Sequence, residues 1–131
     1  MPRLMGLILA LPLLAQAASL QDHQLSQQLQ QIAQQSSQGT PRAINEDILD
    51  QGYTAEGHEL INHLSVRAEH AANMRANPDV VRAQLTSSVC SNPGFRRLLA
   101  NGATLRYEFS EYRTNRPVTR ERFSASDCQQ P

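Results

Sequence analysis

Apolar residues recur at helical spacing early in the chain. Leu25, Leu29 and Ile32 fall on one face of a segment running from Ser19 to Gln38, and glutamines fill most of the rest. Ser19 with Asp22 three residues on is a capping signal, and Gly39 is placed to stop the helix. The polar face of Gln21, Gln24, Gln27, Gln28, Gln31 and Gln35 carries no charge, so it either packs on a partner or faces water. Between Ala43 and Val66 the period changes. Ile44, Ile48 and Leu49 suit a short helix opened by Thr40-Pro41 as well as they suit a strand, so residues 43–50 stay open on their own. The second arm is clearer: Leu60, Asn62, Leu64 and Val66 share one face at period two. With Thr54-Ala55-Glu56-Gly57 as the turn, the stretch predicts a β-hairpin.

Three helices follow. Ala68, Ala71, Ala72 and Met74 mark the first, over Arg67 to Asn77. Asn77 as N-cap and Pro78 at the first helical position open the second, which carries Val80, Val81, Leu85 and Val89. Asn92-Pro93-Gly94 separates it from a short third, Phe95 to Asn101, which Gly102 stops. From Ala103 to Arg113, Leu105, Tyr107 and Phe109 alternate with Arg106, Glu108 and Ser110, and Pro117 to Ser126 follows a Thr114-Asn115-Arg116 turn. The order is α-β-β-α-α-α-β-β. Strands with one apolar face need a cover, so the expected fold is an α+β domain, an antiparallel sheet of about four strands with helices on one face.

The first seventeen residues read differently from the rest. Arg3 precedes an apolar run from Leu4 to Leu14 that is too short to span a bilayer, and Ala15-Gln16-Ala17 has the small-x-small form of a signal-peptidase site. Residues 1–17 are therefore expected to be a cleaved signal peptide, and residues 18–131 one domain exported from a Gram-negative cell. No cysteine follows the cleavage site to accept a lipid, and no transmembrane segment is expected in the mature chain. The expected location is periplasmic or secreted.

Charge and cysteine then narrow the chemistry. All 12 basic residues are arginine, balanced by 12 acidic ones. Without lysine there is no Schiff-base chemistry and no Ser-Lys dyad. Two cysteines in an exported chain this small read as one disulfide, Cys90 to Cys128. Their separation, without a Cys-x-x-Cys, argues against reactive thiols. His58 and His63 are five apart, which puts them on different faces of a helix or strand, so no metal site assembles from spacing. No cofactor motif is present. Gly-x-Ser-x-Gly is absent, which leaves a hydrolase only an unrecognised site using His58, His63 or His70 with Glu59 or Glu69. The carboxylates Glu46, Asp47 and Asp50 read as a solvated edge or turn. Arg113, Arg116, Arg120 and Arg122 gather around the last hairpin turn, where guanidinium forks could converge on a phosphate or carboxylate of a partner. A solvated sheet face is the competing explanation. Nucleic acid is disfavoured by the balanced charge and the lack of interleaved aromatics.

Several stretches carry a resemblance that spans nearly all of residues 18–131. Gly39-Thr40-Pro41-Arg42-Ala43-Ile44-Asn45, Leu60-Ile61-Asn62-His63-Leu64-Ser65-Val66, Ser88-Val89-Cys90-Ser91-Asn92-Pro93-Gly94-Phe95-Arg96 and Thr114-Asn115-Arg116-Pro117-Val118 resemble the quorum-sensing-regulated virulence factor family. The resemblance implies a single α/β domain with a helix-packed antiparallel sheet, outside the cytoplasm, linked to virulence by regulation and bringing no catalytic residues. More loosely the chain is similar to periplasmic pilotin-type proteins of secretion systems, which bind a peptide of a larger partner. The combined expectation is a non-enzymatic interaction protein whose partner is an unknown envelope or host protein, with the small hydrolase as the alternative.

Overall fold

The computed structural model describes residues 12–129. The expected signal peptide lies outside the described residues up to residue 11. From Pro12 the backbone is already helical, and α1 runs Pro12–Ser36. Ser19 is thus inside the helix and caps nothing, a correction that follows from the helix-favouring Leu and Ala residues preceding it. No helix among the described residues is long and apolar enough to cross a membrane. Leu25, Leu29 and Ala33 form the buried stripe of α1, and Gly39, at φ +80°, turns the chain out of it.

Residues 43–50 divide between two strands. β1 is only Arg42–Ala43, and it folds back antiparallel onto Leu49 and Asp50 of β2, Ile48–Glu56. Asn45 closes the loop between them, its Oδ1 accepting from the N–H groups of Asp47 (2.8 Å) and Ile48 (3.0 Å). β3 is Glu59–Val66. The turn lies later than expected. Thr54, Ala55 and Glu56 pair with Ile61, Leu60 and Glu59, and the reversal falls on Gly57-His58, with Gly57 at φ +57°. A bulge between Asp50 and Gly52 explains why the first arm of the expected hairpin lacks one clean period: it moves the inward side chains from even positions (Ile48, Asp50) to odd ones (Tyr53, Ala55). Asp50 is accordingly buried, not solvated as expected. Its carboxylate accepts from Gly52 N–H (2.9 Å) and Asn62 Nδ2 (2.9 Å) and faces Arg42 at 3.5 Å.

The helices α2 (Ala68–Ala76), α3 (Pro78–Cys90) and α4 (Pro93–Ala100) then carry the chain to β4 (Thr104–Glu111) and β5 (Pro117–Phe123), which a short 3₁₀ turn (Ala125–Cys128) follows. Pro78 opens α3, but Asn77 does not cap it with its side chain, which donates to Asn73 instead. Asn92 caps α4 by accepting from Phe95 N–H at 3.1 Å.

The sheet has five strands in the order β1-β2-β3-β4-β5 and is mixed. The expected four antiparallel strands are corrected in two respects: β1 adds an edge, and β3 and β4 run parallel. The three-helix crossover is the cause of the second, because it returns the chain to the end of the sheet where β3 began, which a hairpin cannot do. The helices do share one face, as expected. Leu25, Leu29, Val89, Leu98 and Leu99 pack on Leu60, Leu105 and Phe123, while Met74 packs with Leu64, Val66 and Phe109. A disulfide joins Cys90, the last residue of α3, to Cys128 in the 3₁₀ turn, with Cα atoms 5.3 Å apart.

Candidate interaction surface

Because every helix lies on the Leu60/Leu105 side, the alternate residues of β3, β4 and β5 form a face that no described element covers. Its charged part comes from Glu59 of β3, Arg106 and Glu108 of β4, and Arg120 and Arg122 of β5, which sit beside one another by register. Glu59 receives Arg106 NH1 at 2.7 Å and Arg122 Nε at 2.8 Å. Glu108 is approached by Arg106 Nε at 2.8 Å and by Arg120 Nε. The first of these is an ion contact without hydrogen-bond alignment, and it leaves two buried polar atoms poorly satisfied. Arg106 is 12% exposed and sits in the middle of the ladder, whereas the side chains of Arg120 and Arg122 are 56% and 51% exposed. Three guanidinium groups share two carboxylates, so the ladder carries an excess positive charge. Beneath it Ile61 is fully buried although it lies on the uncovered face, between Thr54 and Arg106.

The structure brings together two of the four arginines singled out from sequence. Arg120 and Arg122 project from the same face of β5. Arg116 lies in the preceding turn, 3.8 Å from Glu111. Arg113, at φ +79°, sits at the tip of the hairpin with its guanidinium 5.8 Å from the Tyr112 ring. Sequence reasoning missed Arg106, although its position in the alternating β4 stretch was a usable signal. It also missed Arg75 and Arg82, whose roles depend on helix placement. Arg75 donates to Glu111 (2.7 Å) and to the Pro117 carbonyl (2.8 Å). Arg82 donates to Glu121 (3.1 Å), Asp127 (3.2 Å) and the Arg122 carbonyl (2.8 Å), with its guanidinium 4.1 Å from the Phe123 ring centre.

Glu111 is a buried carboxylate whose partners favour its charged form. The hydrogen bond from Arg75 holds it below the ordinary carboxylate range; burial opposes this, and Thr114 and Arg116 assist. A depressed folded-state pKa contributes stability that is present above the unfolded value and lost as pH falls through the folded one. The denaturation midpoint of the wild type is therefore expected to fall on acidification through the carboxylate range, and Glu111→Gln to flatten that slope. Equal slopes for the two proteins in denaturant titrations would contradict it.

The three candidate histidines occupy separate places with separate partners: His58 with Asp22 (3.6 Å), His63 Nε2 with Thr54 Oγ1 (2.7 Å) and His70 with Asp47 (3.8 Å). Glu59 is engaged by arginines, and Glu69 is exposed on α2. No group of three potential metal ligands occurs among the described residues. Two phenols are perturbed by burial: Tyr107 is pushed up to about 12 and Tyr53 is raised.

A helix layer on one face of a mixed five-stranded sheet, with a disulfide and a charged bare face, defines a small α+β protein. The chain belongs to the family described as "Putative quorum-sensing-regulated virulence factor", whose model matches residues 18–129. It is 65% identical to a Pseudomonas aeruginosa protein described as a "putative secreted protein", with a TM-score of 0.82 over 84% of this chain and 97% of that one. It also shares the fold of two pilotins of type 2 secretion systems. The Vibrio vulnificus protein EpsS is 16% identical with a TM-score of 0.74, and the Vibrio cholerae protein AspS 19% identical with 0.69; each match covers 86% of this chain and 99% of the other. No curated protein matches the sequence.

Proposed function

We propose that the protein is an exported, non-enzymatic interaction protein of the Gram-negative envelope or secretome that binds an envelope or host protein through the arginine ladder of its bare sheet face. The observation that carries the reading is the combination of excess positive charge and exposure at Arg120 and Arg122. Family membership, a relative described as secreted and the fold shared with pilotins support it. Guanidinium groups already held by carboxylates on one side are pre-oriented toward an acidic surface on the other.

Arg120→Gln/Arg122→Gln is expected to abolish or strongly reduce retention of the partner when the tagged protein is used for capture from an exported fraction. Both side chains are more than half exposed, so folding stability should move by less than about 1 kcal/mol. Raising salt should release the partner from the wild type, because exposed charges are screened beyond about 8 Å at physiological ionic strength. A partner retained equally by both proteins would count against the reading, as would turnover by the purified protein in a panel of hydrolase substrates. Export itself predicts a mature protein that starts at Ala18. An intact mass that includes Met1 in the exported fraction would contradict this.

A further inference from the structure

We infer that the outer edge of β5 is a docking site for an extended, acidic strand of the partner. This deepens the proposed function and rests on it. Among the described residues β5 ends the sheet and pairs only with β4, so one row of its main-chain groups points outward. The Arg122 carbonyl is one of them, since Arg82 donates to it from α3. By two-residue alternation the N–H and C=O of Arg120 also point outward. The Pro117 carbonyl, at the other end, is held by Arg75. Val118, which has no partner on β4, is the extra residue of a bulge at that end, so the two helix-borne guanidinium groups close the ends of a regular frame from Thr119 to Arg122 and leave its middle open.

The opposite side of the sheet is handled differently. There β1 covers only Leu49 and Asp50, but Ser37 Oγ accepts from Tyr53 N–H (2.8 Å) and donates to Tyr53 C=O (3.1 Å), and Gln30 donates to Ala55 C=O (3.2 Å). Side chains of α1 and the turn after it therefore occupy the main-chain groups that a further strand would need on β2. At the middle of the β5 frame, Arg120, no side chain among the described residues takes the outward main-chain groups in this way.

Charge selects the occupant. On the bare face an added strand would place alternate side chains beside Arg120 and Arg122, and opposite charges at such cross-strand positions are favourable while like charges are not. Antiparallel pairing with a second copy of β5 would set arginine against arginine. A segment with acidic residues at alternate positions fits, and the bulge and end clamps limit its paired length to about four residues, a short strand by ordinary standards.

The test uses the ¹⁵N-labelled protein and a synthetic peptide alternating glutamate with valine, with a scrambled peptide of the same composition as control. The alternating peptide is expected to slow hydrogen exchange at the Arg120 and Arg122 amides and not at Tyr53. Arg120→Glu/Arg122→Glu should weaken its binding at least about tenfold, with the amide spectrum otherwise that of the folded wild type. No slowing at Arg120, or equal slowing by the scrambled peptide, overturns the inference. Concentration-dependent slowing at Arg120 in the protein alone also overturns it, by assigning the edge to a second copy. If the peptide fails while a captured partner still depends on Arg120 and Arg122, only the strand mode is lost. Indifference of the captured partner to those arginines removes the underlying reading as well.

Discussion

Phe123→Ala should lower the stability of the domain by about 3–5 kcal/mol, the range for emptying an aromatic position in a core. Phe123 is fully buried at the end of β5, with the Tyr107 ring edge-on at a centroid distance of 6.0 Å. On its other side lies the Arg82 guanidinium, which also ties α3 to Glu121, the Arg122 carbonyl and Asp127. Truncation therefore removes the contact between the sheet and α3 as well as the transfer free energy of the ring. Val80→Ala, at an exposed position of α3, provides the control and should stay within about 0.5 kcal/mol of wild type. Urea midpoints with unchanged slope measure both. A loss below about 1 kcal/mol for Phe123→Ala would mean that the cluster around Phe123 is not the core described here.

Cys90→Ser should cost about 2–5 kcal/mol. The bridge spans a sequence separation of 38 and fastens the end of α3 to the 3₁₀ turn that follows β5. In the chain-entropy model a loop of that length restricts the unfolded chain by about 4 kcal/mol, a large share of a typical domain stability of about 5–15 kcal/mol. The wild type measured in reductant should approach the variant's midpoint, and the oxidised wild type should show no reaction with a thiol reagent when unfolded. Identical midpoints with and without reductant would contradict the structural role of the bridge.

What the sequence revealed of the fold follows from where its pattern is regular. Leu25 and Leu29, Val89, and the alternation of Leu105 and Phe109 each keep one period from end to end, and all are buried where that period puts them. β2 does not. The bulge at Asp50–Gly52 reverses which positions face inward, so its two halves read as conflicting patterns and the turn is placed too early. Parallel pairing of β3 with β4 is likewise absent from local pattern, because hydrophobic alternation is the same for either direction and only the crossover decides.

The candidate surface was half legible for a related reason. Arg120 and Arg122 share a face because they are two apart in a strand, and Arg113 and Arg116 leave it because they belong to the turn. Arg106 joins them through the β4–β5 register, and Arg75 and Arg82 through helix docking. Those are properties of the assembled layers. Density of arginine along the chain marked the region but not the members.

The proposed role of the bare sheet face is to bind an acidic protein surface through Arg120 and Arg122. Its most direct test is the equilibrium affinity of a partner captured from the exported fraction, measured at low and at physiological salt for the wild type and for Arg120→Gln/Arg122→Gln. The expected loss is about 1.5–3 kcal/mol per removed charge-assisted bond at low salt, together with a reduced salt dependence in the variant. Equal affinity of the two proteins at low salt would contradict the claim and leave the ladder as a charged edge that deters aggregation.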